Sequence, residues 1–142
     1  MDIARELKLP IAIHSRDAAQ DTIQIMRASR AEEIGGVIHC YSYSKESARD
    51  FLNMGFYFGI GGVVTFKNAK KLKEAVAYIP LSNIVLETDA PYLTPEPFRG
   101  KRNDSSKLVY VAQAIADIKQ IPVDEVYAET WKNAHQMYKI QK

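Results

Sequence analysis

The chain has 142 residues, of which 46% are hydrophobic and 25% are charged, a composition that excludes disorder and suits one domain over residues 1–142. The net charge of +2 is too small for a general affinity for polyanions, so any electrostatic site must be local. The single cysteine, Cys40, excludes an intramolecular disulfide and favours a cytoplasmic location, and no apolar run is long enough to cross a bilayer.

Short apolar runs alternate with helical patterns along the chain. Met1–Leu7 has the spacing of the last turns of a helix. Strands are predicted at residues 11–15, 37–41, 56–64 and 84–86. Helices are predicted at residues 17–33, 45–54, 68–78 and 106–119, with a last helix opened by Pro122 and with Asp17 and Ser44 as N-caps. This alternation indicates an α/β fold with about four parallel strands covered by helices.

The helical stripes also predict which side chains enter the core. In the fourth helix we expect Val109, Ala112, Ile115 and Ala116 to face inward. The inner stripe expected for the last helix consists of Val123, Val126, Tyr127, Thr130, Ala134 and Met137. Trp131 and the tyrosines of that helix are interpreted as core aromatics.

Three strands end at side chains that can bind a metal ion: His14, His39 and Asp89. Carboxyl ends of parallel strands meet at one edge of a sheet, and alternation allows all three side chains to face the same side. Two imidazoles and a carboxylate suit zinc, manganese or iron. The same alternation places Tyr41 on the face of His39 and predicts that Cys40 packs on the opposite face. The alternative is that each histidine is a hydrogen-bonded core residue and that Asp89 forms a turn.

The stretch after the last strand combines acidic and basic groups. Glu87 lies one layer below Asp89 on the same face, where it could orient a histidine ligand. The alternative is an ion pair with a lysine or arginine. The Pro-rich loop that follows carries Arg99, Lys101 and Arg102. A metal-binding carboxylate beside a basic loop suggests metal-assisted phosphoester chemistry, whereas a solvated loop is the simpler interpretation of the basic cluster.

Five segments resemble the TatD family of metal-dependent hydrolases: IAIHSRDA at residues 11–18, GVIHCYS at 36–42, GFYFGIGGVVTFKNAK at 55–70, IPLSNIVLETDAPYLTP at 79–95 and RGKRN at 99–103. The resemblance implies a TIM-type (β/α)₈ barrel and deoxyribonuclease activity with divalent metal ions, two in the complete site, of Mg, Mn or Zn. It implies that His14, His39 and Asp89 are metal ligands and that Asp89 is also the catalytic proton acceptor.

The resemblance extends to supporting and substrate-binding residues. Glu87 and Arg16 are assigned to the support of the metal ligands. Single-stranded or 3′-ended DNA is the expected substrate, and its backbone would be held by four residues of the basic loop: Arg99, Lys101, Arg102 and Asn103. Tyr41 and Tyr43 replace residues usual in the family at the border of this site.

The chain also departs from the family pattern. A His-x-His pair and a glutamate that supply further ligands in the family have no counterpart here, and a full barrel needs about 250 residues. We therefore expect a carboxyl-terminal half barrel, which agrees with the interrupted helix at Met1. Such a half would bind metal weakly and would pair with a second copy or with a missing amino-terminal half. The alternative functions are hydrolysis of another ester or amide, and an inactive half barrel that binds a partner.

Overall fold

A computed structural model describes residues 1–140 and contains a four-stranded parallel sheet with strand order β1-β2-β3-β4. The strands are β1 (Ile11–His14), β2 (Gly36–His39), β3 (Tyr57–Ile60) and β4 (Ile84–Leu86). The helices are α1 (Asp2–Glu6), α2 (Ala19–Ala28), α3 (Lys45–Asn53), α4 (Lys70–Tyr78), α5 (Leu108–Lys119) and α6 (Val123–Tyr138). The predicted α/β fold of four parallel strands alternating with helices is confirmed. Among the described residues, no helix has the length and apolar character to cross a membrane.

One face of the sheet carries the main core. Phe58 in β3 lies opposite Ile38 of β2 and Ile84 of β4, and all three side chains are buried. The helices that follow the strands cover this face with apolar residues at helical spacing, of which Met26, Phe51, Val76 and Ile115 are fully buried. Each such side chain contributes about 1.5–3 kcal/mol of transfer free energy. This packing holds the four strands in parallel with their carboxyl ends at one edge.

Helix α6 covers the amino-terminal half of the opposite face. Met137 and Ala134 pack against Val37 of β2 and Val85 of β4. The side chain of Asn133 is fully buried, and its Nδ2 donates to the carbonyl oxygens of Leu81 at 2.8 Å and Ile84 at 2.7 Å. The carboxyl-terminal half of this face, where the candidate ligands lie, is therefore left free of α6.

Replacement of Asn133 by alanine is expected to lower the free energy of unfolding by about 1–3 kcal/mol, because two buried carbonyl groups lose their donor. Urea unfolding followed by circular dichroism measures this change. Asn68→Ala is the matched control, because Asn68 is exposed and its replacement should change stability by less than about 0.5 kcal/mol. Equal stability of the two variants would contradict the role assigned to Asn133.

Several expectations about the helices were wrong. Helix α2 begins after Ala18 without a side-chain cap, and Asp17 adopts a backbone φ of +54°, so Asp17 lies in a bend before the helix and does not cap it. Val109 is exposed because the buried stripe of α5 starts at Val111. Trp131 is 66% exposed, and Tyr127 and Tyr138 are also exposed. The buried residues of α6 are Val126, Thr130, Asn133 and Met137, and Trp131 follows Thr130 by one residue, which turns it about 100° away from the core.

Candidate metal centre

His14 and His39 lie side by side at the carboxyl ends of β1 and β2. The register pairs His14 with His39 directly, and the centroids of their rings are 5.8 Å apart. Directly paired residues on adjacent strands point to the same face. The parallel register therefore brings these two candidate ligands together.

Glu87 reaches His39 from beyond the end of β4. The Nδ1 of His39 donates to Oε2 of Glu87 at 2.6 Å, and the backbone N–H of Cys40 donates to the other carboxylate oxygen. A Cβ atom at Gly59 of β3 would lie 2.5 Å from Cδ of Glu87, so only glycine leaves room for this carboxylate to cross β3. Because an ionised carboxylate only accepts hydrogen bonds, Nδ1 carries the proton and the lone pair of the neutral ring lies on Nε2.

The Nε2 of His39 faces a second carboxylate. It lies 3.4 Å from Oδ1 of Asp89, whose backbone φ is +54°. Burial of the ring lowers the pKa of His39, but the carboxylates of Glu87 and Asp89 together outweigh it, so the pKa is raised above its usual value. A ring nitrogen with a free lone pair and a carboxylate oxygen repel each other unless a cation lies between them. The donor set therefore fits a proton or a divalent metal ion at this point.

A cavity of about 360 Å³ opens at this edge of the sheet. It is lined by His14, Ser15, Arg16, Cys40, Ser42, Val63, Asp89, Tyr92 and Leu93. Arg16 is exposed on the cavity wall, so the structure places it beside the candidate ligands and not behind them. His14 and Asp89 reach the same cavity, with His39 adjacent to both, and the structure thus brings the three predicted metal ligands together.

Cys40 belongs to this region, contrary to the expectation that it packs on the opposite face. Its backbone φ of +52° ends the strand alternation after His39, so Cys40 lines the cavity and Tyr41 turns into the core. The ring of Tyr41 is 2% exposed and packs against Phe58 at a centroid distance of 5.0 Å, and its predicted place on the face of His39 was wrong. Tyr43 stays near the site through a 2.8 Å hydrogen bond between its hydroxyl and that of Ser15.

His39, Cys40 and Glu87 also offer ligand atoms within 4.8 Å of one another. Both carboxylate oxygens of Glu87 are already engaged by His39 and by the backbone of Cys40. Burial and the neighbouring carboxylates raise the pKa of the Cys40 thiol to about 12, so the thiol stays protonated at neutral pH. Because the carboxylate of Glu87 is already engaged, whereas Nε2 of His39 and Oδ1 of Asp89 face each other at 3.4 Å, His14 with His39 and Asp89 is the better ligand set.

A second cavity, of about 500 Å³, adjoins the first. It is lined by Phe66, Pro91, Tyr92, Leu93, Thr94, Arg99, Gly100, Lys101 and Arg102. The guanidinium carbon of Arg99 lies 4.3 Å from the centroid of the Phe66 ring. All three predicted cations therefore meet in one concave surface, and Tyr92 and Leu93 belong to both cavities.

Asn103 does not face this cavity. It is 2% exposed, and its Nδ2 donates to the carbonyl oxygens of Thr88 at 2.8 Å and Tyr92 at 2.7 Å. Its side chain thus fixes the loop from inside. Tyr92 was not singled out from the sequence, although an aromatic residue in a proline-rich loop without apolar periodicity was an available signal.

Histidine and carboxylate groups that converge at the carboxyl ends of parallel strands are the arrangement expected of a metal-dependent hydrolase. A family model described as TatD related DNase matches residues 1–139, and the chain belongs to this family. The sequence is 48% identical over 138 residues to the uncharacterized metal-dependent hydrolase YabD of Bacillus subtilis. The alignment covers 97% of this chain and 54% of YabD. The sequence is 40% identical over 140 residues to YcfH of Escherichia coli, an uncharacterized metal-dependent hydrolase of which the chain covers 53%.

Solved structures give the same assignment. The TatD homologue YjjV of Escherichia coli superposes with a TM-score of 0.91 at 26% identity, over 99% of this chain and 54% of that one. A TatD family hydrolase from Entamoeba histolytica shares the fold, with a TM-score of 0.83 at 22% identity over 93% of this chain and 51% of that one. The chain thus spans about half the length of the relatives that it matches.

Proposed function

We propose that this chain is the carboxyl-terminal half of a TIM-type (β/α)₈ barrel that hydrolyses phosphodiester bonds of DNA in a metal-dependent reaction. The observation that carries the proposal is the adjacency of two cavities, one with the candidate metal ligands and one with three cations. A phosphodiester carries a negative charge next to the bond that must be attacked. Cations beside a metal centre therefore suit this substrate better than a neutral ester or amide.

The side chains have distinct roles in this proposal. His14, His39 and Asp89 would hold a divalent cation such as Mg²⁺, Mn²⁺ or Zn²⁺, which when bound activates water and stabilises negative charge on the phosphate. Glu87 holds the His39 ring with Nε2 toward the cavity through the 2.6 Å hydrogen bond at Nδ1. The Oδ2 of Asp89, the carboxylate oxygen that does not face Nε2 of His39, would accept the proton of the attacking water. Arg99, Lys101 and Arg102 bind neighbouring phosphate groups irrespective of base sequence.

Cleavage of 3′-ended single-stranded DNA by this chain, with each of the three metals and with a chelator, tests the proposal. We expect cleavage that requires metal and that falls at least about tenfold in an Arg99→Glu/Arg102→Glu variant, because one charged hydrogen bond contributes about 1.5–3 kcal/mol. A Lys70→Glu/Lys71→Glu variant is the control, because it has the same net charge as the Arg99→Glu/Arg102→Glu variant but alters exposed residues of α4. It should cleave DNA at the rate of the unmodified chain.

A neutral aryl ester separates the competing functions. Metal-dependent hydrolysis of the ester, unaffected by the Arg99→Glu/Arg102→Glu change and without cleavage of DNA, would identify a hydrolase of another substrate. No hydrolysis of either substrate would favour an inactive half that binds a partner.

We also propose that two copies of this chain associate. Within residues 1–140, β1 and β4 each have one neighbouring strand, so both edges of the sheet can accept another strand. Exposed apolar side chains lie in the segment that precedes β1 and at the end of α6, and the 2.8 Å hydrogen bond from Nζ of Lys139 to the carbonyl oxygen of Lys8 joins these two segments. These side chains are Ile3, Leu7, Leu9, Tyr138 and Ile140. A twofold axis that places β1 of each copy beside β4 of the other closes an eight-stranded parallel barrel.

Sedimentation velocity at micromolar concentration is expected to show a dimer. A Leu7→Glu/Leu9→Glu variant should shift the chain to the monomer, because it places charges on the exposed apolar residues that precede β1. Ile25→Glu, at an exposed apolar residue of α2, is the control that should leave the dimer intact. A monodisperse monomer of the unmodified chain would contradict the proposed association.

A further inference from the structure

We propose that the ring of Tyr92 is a stacking platform for a nucleobase of single-stranded DNA, next to the phosphate that is cleaved. The inference rests on the proposed function and adds a base-binding site to it. Tyr92 is 71% exposed, although most of its ring is apolar. Nucleobases stack on exposed aromatic side chains irrespective of sequence, since every base has a planar face.

The backbone of Tyr92 is fixed relative to the metal centre. Its N–H donates to the carbonyl oxygen of Asp89 at 2.9 Å, and its own carbonyl accepts from Nδ2 of Asn103 at 2.7 Å. The N–H of Asn103 in turn donates to the carbonyl of Pro91 at 3.0 Å. These bonds hold the backbone that carries the exposed ring at a set position three residues after Asp89, and a preset backbone loses little entropy when a ligand binds.

Tyr92 lies where the two cavities meet. It lines the cavity that contains His14 and Asp89, and it also lines the cavity that contains Arg99, Lys101 and Arg102. Single-stranded DNA presents phosphates on either side of each base along its backbone. An aromatic surface between a metal centre and a group of cations matches that repeat.

Two other aromatic rings near the basic loop, those of Phe66 and Phe98, already have cationic neighbours. The guanidinium of Arg99 covers Phe66, and Nζ of Lys101 lies 5.7 Å from the centroid of Phe98. Within residues 1–140, the stacked, edge-on and cation–π contacts include none to Tyr92. Its ring is thus available to a base, while the cations around it are placed for phosphates.

Fluorescence anisotropy with two labelled oligonucleotides of equal length tests the inference, with a chelator present to prevent cleavage. One is a single-stranded oligothymidylate, and the other has the same phosphates and sugars without bases. We expect Tyr92→Ala to weaken binding of the oligothymidylate about 5- to 150-fold and to leave binding of the abasic oligonucleotide unchanged. Tyr92→Phe keeps the planar ring and should bind both within about twofold of the unmodified chain.

Tyr78→Ala is the control, because Tyr78 is exposed on α4 and belongs to neither cavity. An equal loss on both oligonucleotides, no loss on either, or a loss in Tyr92→Phe as large as in Tyr92→Ala would overturn the inference while the proposed function stands. Failure of the unmodified chain to bind either oligonucleotide would overturn the inference, whereas the proposed action on DNA is tested separately by the cleavage assay with metal.

Discussion

An Asp89→Asn variant is expected to hydrolyse single-stranded DNA about 10²–10⁴-fold more slowly than the unmodified chain, the range that general acid–base catalysis contributes. Asparagine has nearly the same shape but no negative charge and no basic oxygen. The change therefore removes the proton acceptor and weakens the attraction for a cation at the point where Asp89 Oδ1 faces Nε2 of His39 at 3.4 Å. Initial rates at saturating Mn²⁺ measure the effect.

Metal titration by calorimetry gives a second measurement that does not depend on turnover. Asp89→Asn should bind Mn²⁺ more weakly than the unmodified chain, whereas Asp124→Asn, at an exposed position in the first turn of α6, should change neither rate nor affinity more than twofold. Full activity and full metal affinity in Asp89→Asn would remove Asp89 from the site.

Gly36→Ala is expected to be among the most destabilising single substitutions in the chain. Gly36 pairs with Ile11 at the start of the β1–β2 ladder, its backbone φ is +149°, and a Cβ atom would overlap the carbonyl oxygen of Ile11. Backbone strain of about 1–3 kcal/mol and overpacking of about 1–3 kcal/mol give a loss of about 2–6 kcal/mol. That is a large part of the roughly 5–15 kcal/mol that stabilises a typical domain.

Gly55→Ala is the control for Gly36→Ala. Gly55 has a φ of +75°, but a Cβ atom there meets nothing within 4 Å, so its replacement should cost only about 1–2 kcal/mol of backbone strain. Urea unfolding measures the loss of stability in both variants. The difference between the two losses reports the steric overlap at Gly36, because Gly55→Ala introduces backbone strain alone. A Gly36→Ala protein as stable as Gly55→Ala would show that β1 can shift against β2 without loss. In the expected case, a partial shift of β1 that relieves the overlap at Gly36 would separate His14 from His39, so weaker metal binding should accompany the loss of stability.

Local sequence patterns predicted the order of the elements because apolar periodicity and strand breakers act within a few residues. They also predicted that His14 and His39 reach the same edge, since parallel strands share one direction. They failed at Cys40, where a positive φ ends the strand alternation and exchanges the faces of Cys40 and Tyr41. No local pattern indicates such a backbone conformation at a non-glycine residue.

Contacts between distant segments lay beyond the reach of the sequence. The bond between His39 and Glu87 joins residues 48 positions apart; the sequence indicated that Glu87 could orient a histidine ligand, but not which histidine. Asn103 was assigned to DNA from its basic neighbours, but its amide is used inside the loop. The exposed position of Trp131 followed from the rotation of α6 about its axis, which the buried amide of Asn133 helps to set. The catalytic and metal-binding roles of His14, His39 and Asp89 stay predictions.

The path of Glu87 across the sheet links ligand binding to folding. Its carboxylate leaves the end of β4, passes over Gly59 of β3 and binds His39 at the end of β2 and the backbone of Cys40 just after it, so one side chain connects three strands. A cation that binds His39 in this orientation therefore requires β2, β3 and β4 to be folded together. Metal binding and folding are then thermodynamically linked, because the metal binds only the folded chain. The midpoint of thermal unfolding should therefore rise with metal concentration.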